Sequence, residues 1–190
     1  MSKDVKSFVF KAMLAEQDLT DLSKKGIGVK NLKEIEETLH VIEDDFSGVI
    51  WYSANKMSSI YKALFCVENT IRGFIVDRLS ERKGTDWWET CVPSKIKTEV
   101  DKLKSDEIKN RYMSPRSNNN IDYTLLGNLS QIITFNWDDF SDIIPNQAWL
   151  NSRVGDLERC RNVIMHTGTL DDYDVDRIEI IIRDIIRQIT

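Results

Sequence analysis

Hydrophobic positions recur at three-and-four spacing along most of the chain, which is the period of helices that bury one face. The clearest run covers 57–82, where Ile60, Leu64, Val67, Ile71, Phe74, Ile75 and Leu79 share a side and predict a long helix. Shorter patterns predict helices over 87–92 and 94–110, with Thr85 or Asp86 as the cap of the first and Pro93 between the two. Another is capped at Asp122 or Thr124 and carries Leu125, Leu126, Leu129, Ile132 and Ile133. After Pro145-Asn146 a helix buries Trp149, Leu150, Val154, Leu157, Val163 and Ile164. A last one opens at Asp171 and Asp172 and carries Val175, Ile178, Ile181, Ile182, Ile185, Ile186 and Ile189. So many β-branched residues also suit a strand, but their spacing and the acidic first turn favour a helix. Upstream, helical patterns over 5–22 and 30–46 are parted by Gly26 and Gly28. The stretch Val49-Ile50-Trp51-Tyr52 fits either a short strand or the waist of a longer helix, and its helical flanks favour a helix with a bend. The expected architecture is all-α: a helical bundle over 51–190 behind an N-terminal helical extension over 1–50.

Composition narrows the function. With 41% hydrophobic and 30% charged residues in 190, the chain can bury a sizeable core. A net charge of −5 excludes binding to nucleic acid by bulk charge, so any RNA contact must be local. Cys66, Cys91 and Cys160 lie far apart, without zinc or disulfide spacing, and a reduced, cytoplasmic compartment is expected. No apolar window reaches membrane-spanning length, and the start of the chain lacks a secretory pattern. Gly26 and Gly28 lack the preceding strand and further glycine of a dinucleotide loop. The acidic positions Glu34, Glu36, Glu37, Glu43, Asp44 and Asp45 form a solvated face or dock a basic partner. His40 has no second ligand at metal spacing, and Asp138, Asp139 and Asp142 have no histidine near them, so neither a metal nor a cofactor is expected. The polar loop 111–120 holds Arg111, Tyr112 and Arg116 and reads as a plain loop ahead of a contact for single-stranded RNA.

Chemistry concentrates at Arg161-Asn162-Val163-Ile164-Met165-His166, at the end of a predicted helix that Gly168 closes as its C′ residue. Asn162 and His166, four apart, share a face, while Arg161 and His166, five apart, diverge by roughly 140°. One chain therefore aims guanidinium and imidazole at opposite edges of a groove, and two copies facing each other bring both pairs into one site. An imidazole that moves protons beside a guanidinium that holds phosphate suits phosphodiester cleavage. Arg159 and Arg153 add local positive charge. Glu68 and Arg72, four apart on the long helix, make an intrahelical ion pair of ~0.2–0.5 kcal/mol or line the groove beside His166.

At these residues the chain resembles the HEPN superfamily, whose signature is Arg, a polar residue, a short spacer and His near a helix end. The likeness covers about 55–190 and includes the long helix with Glu68 and Arg72, the turn and short helix Asp86-Trp87-Trp88-Glu89-Thr90-Cys91-Val92-Pro93, and the helix with Trp137 and Phe140. It resembles the subgroup found beside RNA-processing or prokaryotic defence domains. The resemblance implies an all-α bundle, usually a homodimer, and in active members metal-independent endoribonuclease activity, as in toxins and defence effectors. Arg161 and His166 would be catalytic, with Asn162 orienting the phosphate or the imidazole, and Arg159, Glu68 and Arg72 would contact RNA. A regulatory partner or antitoxin is also implied, but not one that modifies a tyrosine two residues past the histidine, because Gly168 stands there. The alternative is a non-catalytic module for dimerisation or for RNA or nucleotide binding. In that case Arg161 and His166 cap helix carbonyls or pair with Glu158 and Asp171.

Overall fold

Helix α1, Gly48–Lys83, is the axis on which the other elements are assembled. Its stripe Ile60, Leu64, Val67, Ile71, Ile75 and Leu79 is at most 9% exposed, as a helical period of apolar residues requires. The computed structural model describes residues 45–110, 112 and 114–190, and its helices lie within the unit Val49–Thr190 apart from the first residue of α1. The helices expected over 5–22 and 30–46, and Arg111 of the polar loop, therefore lie outside the described residues, Asp45 and Phe46 excepted. Val49-Ile50-Trp51-Tyr52 is helical and belongs to the first turns of α1; Gly48 begins that helix, so the stretch is its start and not the waist of a longer one.

After α1 come α2 (Trp87–Cys91), α3 (Ser94–Lys109), a 3-10 turn (Asn120–Tyr123), α4 (Leu126–Phe135), α5 (Trp137–Phe140), α6 (Gln147–Met165) and α7 (Asp172–Ile189). No strand occurs among the described residues. Pro93 separates α2 from α3, and its carbonyl accepts from the backbone of Ile96 and Lys97. Asp86 stands at the N-cap of α2 without a side-chain capping bond. Neither Asp122 nor Thr124 caps α4. The Thr124 hydroxyl instead donates to the Ile121 carbonyl (2.6 Å), closing the 3-10 turn, and Asp122 accepts from Ser117. Leu125 takes the N-cap position, with its backbone N–H donating to the Asn128 side chain (2.8 Å).

Three long helices fix the geometry around the candidate site. Helix α6 runs antiparallel to α1: Arg78 on α1 meets Asp142 just before α6, Glu68 meets Arg161 near its end, and Met57 Sδ accepts from Leu170 beyond it. Helix α7 runs back along α6, tied by Arg153 to Asp184 (2.7 Å) and Arg177 to Asp156 (2.6 Å). Leu150, Val154 and Leu157 of α6 and Ile178, Ile181 and Ile185 of α7 are buried in the shared core, with Leu129, Ile132 and Ile133 of α4. Phe140 is fully buried and meets Phe74 edge to face, centroids 5.5 Å apart. Val163, expected inside, is 38% exposed. The carboxylates Asp139 and Asp142 are held by Arg78, Arg82 and Lys83 at the end of α1, a set of bonds that fastens α5 to that helix. No described helix is long and apolar enough to cross a membrane.

Candidate functional site

Arg161 continues the inward stripe Leu150, Val154, Leu157 of α6, and Glu68 stands in the inward stripe of α1. The fold thus turns a cation and an anion toward each other across a helix seam. Glu68 is 7% exposed, and its two oxygens serve different guanidiniums: Oε1 accepts from Arg72, and Oε2 lies 3.5 Å from Arg161 Nε. Arg72 also donates to the Thr124 carbonyl (2.8 Å) and to Asn69 Oδ1 (3.1 Å). Two cations thus stand against one buried carboxylate, Arg72 by a charged hydrogen bond and Arg161 by an ion pair. The contact also fixes how Arg161 points. Its Nε faces Glu68, while its terminal amines have no hydrogen bond or ion pair to other described residues.

The other signature side chains lie on the outer surface of α6. Asn162 and His166 are exposed, and the His166 side chain makes no hydrogen bond or ion pair among the described residues. Arg159, Asn162 and His166 stand at i, i+3 and i+7, so they form one outward line of about 10 Å. Arg159 is 83% exposed and only 3.8 Å from Asp156, a loose contact that leaves its charge open to solvent. Arg161 pairs with Glu68 and not with Glu158, and the Asp171 side chain accepts from the Asp174 backbone as the N-cap of α7. Cys160 lies between Arg159 and Arg161, but burial, followed by nearby Asp174 and Asp156, pushes its thiol up from the ordinary value. It holds its proton at neutral pH and makes a poor nucleophile.

The end of α6 is built differently from expectation. His166 is the C-cap, Thr167 N–H donates to the Ile164 carbonyl (3.0 Å), and Gly168 N–H donates to the Val163 carbonyl (2.8 Å). This pair of bonds is a Schellman motif with its left-handed residue at Thr167, whose φ is 62°. Gly168 is therefore the residue after C′, and it is small for another reason: a Cβ there would lie 2.7 Å from Val163 Cγ1 and 2.9 Å from the Val163 carbonyl oxygen.

Two contributors were not legible as site residues. The Thr124 carbonyl holds Arg72 from a turn 52 positions away, a backbone role that no side-chain pattern reveals. Gly127 lets α4 approach α6 closely, since a Cβ there would lie 3.0 Å from Glu158 Oε2. A glycine inside an otherwise apolar helical run was its signal. Of the loop residues offered for RNA, Arg116 is engaged with Glu107 and lies over the Tyr123 ring, whereas Tyr112 is 84% exposed. Among the described residues no group of three or more histidine, cysteine or carboxylate side chains stands together as a metal cage. Asp139 and Asp142 of the acidic run form salt bridges with the α1 cations.

The family model described as Swt1-like HEPN matches residues 62–190 of the chain. No curated protein and no solved structure matches the chain.

Proposed function

From the premise that the chain belongs to the Swt1-like HEPN family, we propose that it is a metal-independent endoribonuclease acting as a homodimer. The observation that carries this reading is the state of the two reactive side chains: Arg161 is steadied through Nε with its terminal amines unclaimed, and His166 is exposed without a partner among the described residues. Arg161 is held by Nε alone, and the exposed His166 side chain is committed to no described neighbour.

In the proposed reaction the RNA 2′-oxygen attacks the adjacent phosphorus and the bond to the 5′-oxygen breaks. The phosphate closes to a 2′,3′-cyclic ester, and a free 5′-hydroxyl leaves. Arg161 stabilises the charge gathering on the non-bridging oxygens, and its fork geometry suits two of them. His166 carries the proton between the attacking and leaving oxygens, and Asn162 orients the phosphate or the imidazole. Arg159, in line with both, holds the flanking backbone. Glu68 and Arg72 act beneath the surface: the carboxylate is spent on two guanidiniums, so its part is to aim Arg161 and not to touch RNA. Because Arg161 and His166 diverge around the helix, the complete site draws on two subunits.

Incubation of single-stranded RNA in chelator with the parent, His166→Ala and Arg161→Ala tests this. The parent should leave cyclic-phosphate ends, and each variant should lose about 10²–10⁴-fold in rate while keeping its helical circular dichroism. Equal cleavage by His166→Ala and parent would contradict the reading. The second reading, a non-catalytic dimerisation or RNA-binding module in a defence or RNA-processing assembly, is favoured by the ion pair that already occupies Arg161. It predicts RNA retention without cleavage.

A further inference from the structure

Phe65 breaks the pattern of α1. The apolar residues around it, Leu64 and Val67, are at most 2% exposed, whereas Phe65 is 57% exposed. It lies in the surface line Phe65, Asn69, Arg72, one turn before Glu68, and its carbonyl accepts from the Asn69 side chain (2.8 Å). Because α1 and α6 are antiparallel with Glu68 opposite Arg161, a step of three residues toward the start of α1 is a shift of about 4.5 Å, to the level of Ile164 and Met165. Helix rotation decides which side of the seam this is. Phe65 and Arg72 lie roughly 60–40° past Glu68 in the direction of winding, and Asn162, Met165 and His166 lie about 40–140° past Arg161 in the same sense. Right-handed helices that face each other antiparallel send both displacements to the same side. Phe65 therefore lies on the same side of the seam as Asn162, Met165 and His166.

Charge supplies the identity of the occupant. Along α1 the level of Phe65 falls between that of Arg161, opposite Glu68, and that of Lys62, which is exposed and without an ion pair among the described residues. An uncharged aromatic face between two cations matches a single strand of nucleic acid, whose phosphates and bases alternate at comparable spacing. A base stacks on an aromatic ring whatever its sequence, while the cations hold the phosphates to either side. Resting on the nuclease reading above, we propose that Phe65 is the stacking platform for the nucleobase adjoining the phosphate at Arg161.

The test uses the full chain and a short single-stranded RNA carrying 2-aminopurine, bound to the His166→Ala protein so that it stays intact. Binding should quench the fluorophore. Adding Phe65→Ala should raise Kd about 5- to 100-fold and remove the quench, and Phe65→Trp should restore both. In the otherwise unaltered enzyme Phe65→Ala should raise KM for the single strand more than it lowers kcat, because a ground-state contact is lost. Unchanged Kd and quench, or a change in the number of subunits per particle in Phe65→Ala showing that the ring belongs to an interface between copies, would overturn the proposal. Cleavage that needs His166 but ignores Phe65 removes the platform alone. Quenching that needs Phe65 in a protein that cleaves nothing removes the nuclease reading and leaves the platform standing.

Discussion

Thr167 carries a conformation that its side chain resists. A β-branched residue at φ 62° costs about 1–2 kcal/mol relative to the right-handed region, and glycine adopts it freely. Thr167→Gly should accordingly stabilise the fold, less the entropy glycine loses on folding, by about 0.5–1 kcal/mol, visible as a rise of roughly 2 °C in Tm. A lower Tm would show that the hydroxyl, which donates to the His166 carbonyl (2.6 Å), holds the turn more firmly than the strain opposes it. Glu68 presents the opposite case. It is buried between Arg72 and Arg161, so Glu68→Gln leaves two guanidiniums without their anion and should cost about 3 kcal/mol in chemical denaturation. Arg159→Ala removes only an exposed, loose pair and should cost less than about 0.5 kcal/mol. Equal losses in the two variants would mean that Glu68 is not the anchor described.

Salt bridges at both ends of α1 link it to later elements and make those links sensitive to pH. The bond from Arg78 holds the Asp142 carboxyl below its ordinary value, against burial, and the bond from Lys56 does the same for Asp172. A carboxyl that binds its proton less readily when folded contributes stability that is complete above its unfolded pKa of about 4 and is lost as pH falls through the lower folded value. For the lysines the sign reverses: Lys56 beside Asp172 and Lys83 beside Asp139 are raised, and their contribution is lost only as pH climbs through those raised values. Denaturation followed from pH 6 downward should show the parent losing stability more steeply than Asp142→Asn, and identical slopes would contradict this. The elements themselves were readable wherever one apolar stripe repeats over several turns, as in α1, α6 and α7, because burial of that stripe decides the helix. Boundaries failed where one residue could serve two bonds: the Thr124 hydroxyl closes a 3-10 turn when it looked like a cap, and Gly168 yields to a close carbonyl when it looked like a left-handed residue. The outward line Asn162 and His166 follows from helical spacing alone. The pairing of Glu68 with Arg161 does not, since periodicity says nothing about which of two cations a carboxylate will meet 93 positions away.

At the scale of the whole molecule, the proposed function asks an acidic chain of net charge −5 to gather RNA through a small positive region. Arg159, Arg161 and Lys62 provide such charges around the proposed cleft, and the balance elsewhere is negative. Contacts with phosphate of this kind release counterions, so RNA affinity should fall with rising salt, and the slope should lessen by roughly one unit in Arg159→Ala. In the proposed reaction the wide angle between Arg161 and His166 makes assembly part of the chemistry, because a single helix cannot turn both toward one phosphate. Co-expression of the Arg161→Ala and His166→Ala chains, each silent alone, puts this most directly to the test. If the site is shared between subunits, the mixed dimer keeps one intact guanidinium facing one intact imidazole and should recover a substantial fraction of parental cleavage of single-stranded RNA in chelator. Activity of the mixture no greater than that of either variant alone would contradict the account.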